Sequence, residues 1–485
     1  LPKKSLAKFP KPSTPDQEGL HAMSGHDTSK NNTDFISWKL AKWASELTYE
    51  SLSEEAIHSA KLYLYDSFGC ALGGSQQHDV KIFLEHARAM GGTESCTVFG
   101  SGFKTDPVMA AMLNALSIRA MDYNDIYWKA DPSHPSDIIP AALSICEMNG
   151  LSGKDLILGV CIGHEIEMRL AEFGNPGVRE YGWHHATITC VASPIVAGRM
   201  LGLSAEKIQQ AIGISVSPNM CLGAVTAGKL TNMKNTVDPM STRAGVEAAL
   251  LAAGGYSGPE HVIDGKEGLV HCFEKFGGSF DLKILGDNLP TCSSCHWKII
   301  DCGMKSFPIE ALSHAPLTAM MKIVAANDLD PDTIDEIKVE VIARAADILG
   351  DPAKYRPTSK ETADHSLPYS LAVGLIDGMV TPLPVMDKIK VVPNEEFEAL
   401  FPKFQPSQVT ITLSDGSSFV ERVDVPKGDP RDPMTEEEIA VKFNALGTEV
   451  VGEDACRMLR DLIMAMETQT SMTDLFELMT ARVAV

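Results

Sequence analysis

Residues 407–425 read SQVTITLSDGSSFVERVDV, and the reading of this stretch decides the fold. Apolar and polar residues alternate with a period of two on both sides of a Ser-Asp-Gly-Ser tetrad, which supplies a hairpin turn. An earlier run, TIDEIKVEVIA at 333–343, alternates in the same way, and the helical text HAPLTAMMKIVAAN at 314–327 lies close before it. Strands bracketing helices make an α+β segment. Its texture begins near Asn288 and ends at the Pro-rich VPKGDPRDPM of 425–434.

On both sides of this segment the signal is helical. FISWKLAKWASEL (35–47) spaces its apolar residues by three and four, and SLSEEAIHSAKLYLYDSFGCALGG (51–74) opens with Ser and closes on Gly-Gly. LSAEKIQQAIGIS (203–215) and STRAGVEAALLAAGGYSGP (241–259) repeat the style, and their small residues favour close helix packing. TEEEIAVKFNALG (435–447) resumes it after the strands. The expected fold is mainly α with an α+β insert. An all-α helical domain is drawn from residues 34–289 and 428–485, a smaller α+β lid domain covers 290–427, and residues 1–33 form a polar tail.

The chain has 485 residues, which suits two domains. Its 42 Lys and Arg against 64 Asp and Glu leave a net charge of −22, which repels nucleic acid and anionic membranes at long range. A small anionic substrate is still allowed, because a site needs only a few local cations. No run of about 18 apolar residues suggests a transmembrane helix. The basic start lacks the Arg-rich pattern of a transit peptide. The 11 Cys are scattered through apolar text, which suits a reducing compartment, cytoplasmic or alternatively mitochondrial.

The run MDYNDIYWKADPSHPSD, 121–137, mixes four Asp, aromatics and His134. It reads either as a solvated loop with a helix cap or as a general acid/base set in which Asp122 and His134 meet behind aromatic walls. YGWHHATITC (181–190) sets His184 and His185 at a helix start, where taken alone a core histidine is the plainer reading. NMKNTVDP (232–239) offers Lys234, either snorkelling or holding a carboxylate. CGMKSFPIE (302–310) offers Lys305 and Glu310, and RPTSKETADHSLPY (356–369) offers His365 and Tyr369. CSSCH (292–296) has the haem-attachment spacing and, with Cys302, invites a metal reading. No second pair completes a ligand set, and ordinary buried thiols are the plainer reading.

Three of these segments, in order, resemble the MmgE/PrpD family: MDYNDIYWKADPSHPSD, MKNTVDPMSTRAGVEAALLAAGGYSGPEHVIDGKEG (233–268) and ETADHSLPY with LIDG (361–378). The resemblance spans roughly residues 34–480. It implies a helical domain from both chain ends with an inserted lid, a homodimer, and no metal or organic cofactor. It further implies a small di- or tricarboxylate substrate held between the two domains. Asp122, His134, His184, Lys234 and Tyr369 would be catalytic, with Lys305, Glu310 and His365 at the substrate. The motifs lie closest to dehydration of 2-methylcitrate or a related alkylcitrate. Decarboxylation of cis-aconitate or a relative is the alternative, and a ligand-binding member without activity is a third. Where the dehydratase motifs carry Thr and Trp, this chain carries Ile126 and Met233. Both are expected to line the pocket and favour an alkyl substituent.

Overall fold

The computed structural model describes residues 31–227, 230–327, 329–376 and 387–480. Most of the expected tail, up to residue 30, lies outside the described residues.

The centre is a set of helices buried on nearly every side. Pro107–Arg119 and Ala186–Met200 carry mostly apolar or small residues on every face, as core helices must, and Met233–Ala253 packs against both. The small residues permit close approach: a side chain at Gly245 would meet Ser193 Oγ at 2.0 Å. Glu54–Gly74 packs beside Pro107–Arg119, with its first turn capped by the Ser53 side chain accepting from Ala56 N–H. The helix Glu436–Val451, from the far end of the chain, lies against Glu54–Gly74, and Phe443 stacks on Tyr65 with centroids 4.4 Å apart. Both chain ends therefore share one core.

A second cluster of buried side chains runs from Ile309 to Val423. It underlies a four-stranded sheet ordered Ser418–Val423, Ser407–Leu413, Ile334–Val341, Ile389–Pro393. The first three strands are antiparallel and the last pair is parallel. Val409, opposite Val339, is buried, as the alternation requires. The hairpin turn is the expected one, with Gly416 at φ +87° and Ser417 N–H bonded to Asp415. The helix His314–Ala326 covers this sheet.

Three expectations are corrected. The region before the α+β segment is not helical throughout, because Asp125–Trp128 is a strand. It pairs with Pro132–Ser133 on one side and Gly303–Met304 on the other. The run 121–137 is also not a solvated loop. Asp122, Asp125, Asp131 and Asp137 are all buried. Burial is tolerable because each carboxylate has partners: Asp125 accepts from Ser136 N–H and Oγ–H, and Asp131 from Val178 and Arg179 N–H. All eleven cysteines are free thiols, but Cys292 is exposed, so the buried-thiol reading of CSSCH fails there. Its turn, closed by Cys295 N–H to Cys292 C=O, lies at the surface. Among the described residues no helix is long and apolar enough to cross a membrane.

Candidate active site

The pairing of Asp125–Trp128 with Gly303–Met304 places Lys305 beside Asp122, although the two are far apart in sequence. Asp122 follows the core helix ending at Arg119, and its backbone is left-handed, with φ +52°. That conformation turns the carboxylate onto three cations. Arg119 Nη1 lies 2.5 Å from it, Lys305 Nζ 2.7 Å and Lys234 Nζ 3.1 Å. Burial alone would raise the Asp122 pKa, but Lys234, Lys305 and Arg119 outweigh it and hold the carboxyl well below its ordinary range. Burial lowers the Lys305 pKa. Lys234 Nζ is buried and makes no well-aligned hydrogen bond, so its donors are free for a ligand.

Asp122, Lys234 and Lys305 line a cavity of about 740 Å³ that also receives His134, His184 and His185. His134 Nδ1 lies 2.6 Å from the Asp125 carbonyl, so Nδ1 carries the proton and Nε2 is a bare lone pair. Burial, then Arg119 and Lys305, keep this imidazole neutral, with its pKa well below the usual value. His184 has the opposite tautomer. Its Nδ1 accepts from Ala186 N–H, leaving an unpartnered Nε2–H as donor. Burial and His185 likewise keep His184 neutral. The His184 and His185 rings lie 3.9 Å apart, tilted by 35°, and His185 Nε2 lies 3.4 Å from Asp238. The site thus offers a base, a neutral donor and three cations around one cavity.

A further lysine aligns the site without reaching the cavity. Lys442, buried and 2.6 Å from Asp66, donates to the carbonyls of Tyr123 at 2.7 Å and Lys305 at 3.0 Å. It ties together the two segments that carry Asp122 and Lys305.

The structure gathers Asp122, His134, His184, Lys234, Lys305, Ile126, Glu310 and His365 around one cavity. Glu310 accepts from Leu312 N–H, and burial raises its pKa. His365 Nδ1 bonds Asp364 at 2.7 Å. Tyr369 and Met233 are not among the lining residues. Tyr369 packs against the second core, and Met233 is 40% exposed at the start of its helix. Adjacent helical residues point about 100° apart, so Met233 turns away when Lys234 faces in. Sequence reasoning missed Arg119 and Asp238, and noted His185 beside His184 without assigning it to the site. Arg119 at the end of an apolar helix, three residues before Asp122, was the available signal.

Three donor clusters among the described residues could hold a metal: His184, His185 and Asp238; Asp122, Asp364 and His365; and Asp125, His164 and Cys302. Cys302 groups with Asp125 and His164, not with Cys292 and Cys295.

The pattern of the MmgE/PrpD N-terminal domain matches residues 38–279, and that of the C-terminal domain matches residues 307–468. The chain is 25% identical to cis-aconitate decarboxylase of Aspergillus terreus, over 94% of this chain and 98% of that protein. It is 26% identical to the human cis-aconitate decarboxylase, over 86% of this chain and 88% of that protein. Its identity to the mitochondrial 2-methylcitrate dehydratase of Yarrowia lipolytica is 24%, over 81% of this chain and 80% of that protein.

Proposed function

The chain belongs to the MmgE/PrpD family, and on that premise we propose that it is a lyase of small polycarboxylates that decarboxylates an unsaturated tricarboxylate of the cis-aconitate type. One observation carries the reading: buried Lys234 and Lys305 face the same cavity, and Lys234 has unused donors. When the C–CO₂ bond breaks, its electron pair delocalises into the conjugated system and onto a remaining carboxylate. Fixed cations in a dry site stabilise that developing charge far more than water does. A proton then goes to carbon, and Lys305, whose pKa is already lowered, is the nearest fit for donor.

Dehydration requires in addition an acid at a departing hydroxyl. Tyr369 does not line the cavity, and Ile126 offers no hydroxyl. This reverses the order expected from the motifs, where dehydration came first. Dehydration stays as the second reading, favoured by the bare Nε2 of His134, which is suited to removing a C–H proton.

Several features belong to the same proposal: a helical body of 34–289 and 428–485, a lid of 290–427, a homodimer, and a reducing cytoplasmic or mitochondrial setting. The separation of the two cores supports the lid, and eleven free thiols support the setting.

The test is incubation with cis-aconitate, citrate and 2-methylcitrate, following CO₂ and products by proton NMR. Expected are CO₂ and an unsaturated dicarboxylate from cis-aconitate. Water loss from 2-methylcitrate without CO₂ transfers the assignment to the dehydratase, and turnover of none of the three refutes both.

A further inference from the structure

The cavity holds a second group of cations that the Asp122 cluster does not use. Arg179 lies in the short turn Val178–Tyr181, Arg344 in the helix Ala343–Leu349, and Lys354 in the turn Pro352–Tyr355. All three line the cavity. Their positions are built. Asp131, from the run 121–137, accepts from Val178 N–H at 2.7 Å and Arg179 N–H at 3.0 Å, and so fixes the turn that carries Arg179. A side chain at Gly177 would meet the Asp131 carboxylate at 2.5 Å, so the turn sits tightly on its anchor. Arg344 reaches across from the sheet segment to Glu180, at 2.5 Å, next to Arg179.

Among the described residues the Arg179 guanidinium forms no close ion pair, although Asp131, Glu310 and Glu180 attract it. Burial and then the neighbouring Arg344 lower its pKa, as happens when two cations are held together. The Lys354 ammonium likewise has no ion-pair partner among the described residues, although the residue is buried. The acids on this side already have partners or are exposed: Glu180 pairs with Arg344, Asp131 accepts from Val178 and Arg179 N–H, Asp351 caps Ala353 N–H, Glu310 accepts from Leu312 N–H, and Asp347 is exposed. Arg179 and Lys354 thus line the cavity without an ion pair of their own, and such cations suit a carboxylate ligand.

We propose that Arg179, Arg344 and Lys354 form a second carboxylate subsite, apart from the Asp122 cluster, that selects tricarboxylates over dicarboxylates. The proposal rests on the polycarboxylate reading above and adds the residues that read the extra carboxylate. Lys234 and Lys305 hold the reacting end. Arg179 and Arg344, from opposite sides of the cavity, clamp the remote carboxylate, so the subsite is complete only when the sheet segment is seated.

The experiment is equilibrium binding by calorimetry, using tricarballylate and its dicarboxylate counterpart glutarate. Arg179→Gln should weaken tricarballylate about 10- to 100-fold, the loss expected for a charge-assisted hydrogen bond, and should change glutarate less than about threefold. Arg179→Lys should recover part of the loss. Arg344→Gln, at a half-exposed position, should show the same selectivity and serves if Arg179→Gln does not fold. Equal weakening of both ligands, or unchanged tricarballylate binding, overturns the subsite while leaving the lyase reading intact. A wild-type protein that binds neither ligand overturns both.

Discussion

Replacing Asp122 by Asn tests the centre of the site with little other disturbance. The residue has φ +52°, and Asn tolerates left-handed backbone as well as Asp does, so the change removes charge without adding strain. Three cations contact this one carboxylate at 2.5, 2.7 and 3.1 Å, all buried. Removing the shared anion leaves them facing one another, and breaking a buried pair in this way costs about 3–5 kcal/mol. Urea unfolding at pH 7 should show that loss. The folded pKa of Asp122 is depressed, so its contribution is full above the unfolded carboxylate value, near 3.9, and is lost as pH falls through the folded value. The difference between wild type and Asp122→Asn should therefore be constant from about pH 5 to 8 and shrink only in strong acid. A tricarboxylate should stabilise the variant more than the wild type, because the released cations welcome an anion. A loss below about 1 kcal/mol at pH 7 would refute the idea that Asp122 holds the cluster together.

The remaining expectations are more compact. Under the dehydration reading His134→Ala should lower kcat about 100-fold or more with an unchanged circular dichroism spectrum, as for loss of a general base; near-normal turnover would exclude that role and leave the decarboxylation. Lys305 must be charged to hold a carboxylate, and its pKa lies below the lysine value, so kcat/KM should fall on the alkaline side before pH 10.5. Lys305→Gln should cost most of the turnover and remove that limb from what remains, and a limb that persists would assign it elsewhere. Gly428 has φ +95°, and a side chain there would meet the Met304 carbonyl at 1.9 Å, so Gly428→Ala should displace Lys305 and cut activity; full activity would show that the strand yields freely. Prolonged chelation should leave activity intact. Loss restored by one metal would point to the three donor clusters, Asp125, His164 and Cys302 among them.

The α+β segment could be read from the sequence because alternation in SQVTITL and TIDEIKVEVIA is a local signal that burial of one sheet face enforces. Asp122, His134, Lys234 and Lys305 were recognisable because each sits in a short run of unusual composition. Their convergence was not legible. It depends on Asp125–Trp128 pairing with Gly303–Met304, a contact between segments 177 residues apart, as Cys302 is from Asp125. Arg119 was invisible for a different reason: one Arg at the end of an apolar helix is also what the helix dipole favours. Arg179 lies in a short turn and Arg344 in a short helix, neither of unusual composition, and only the folded chain brings them to one cavity. Met233 was misplaced because a residue next to Lys234 on a helix cannot share its direction.

Lys442 carries a consequence for the order in which the site is assembled. Every cavity side chain lies earlier in the sequence, yet the ammonium that holds the Tyr123 and Lys305 carbonyls comes 137 residues after Lys305. In the order of synthesis the helix Glu436–Val451 therefore follows everything that it aligns, and the two carbonyls have no shared donor until it docks.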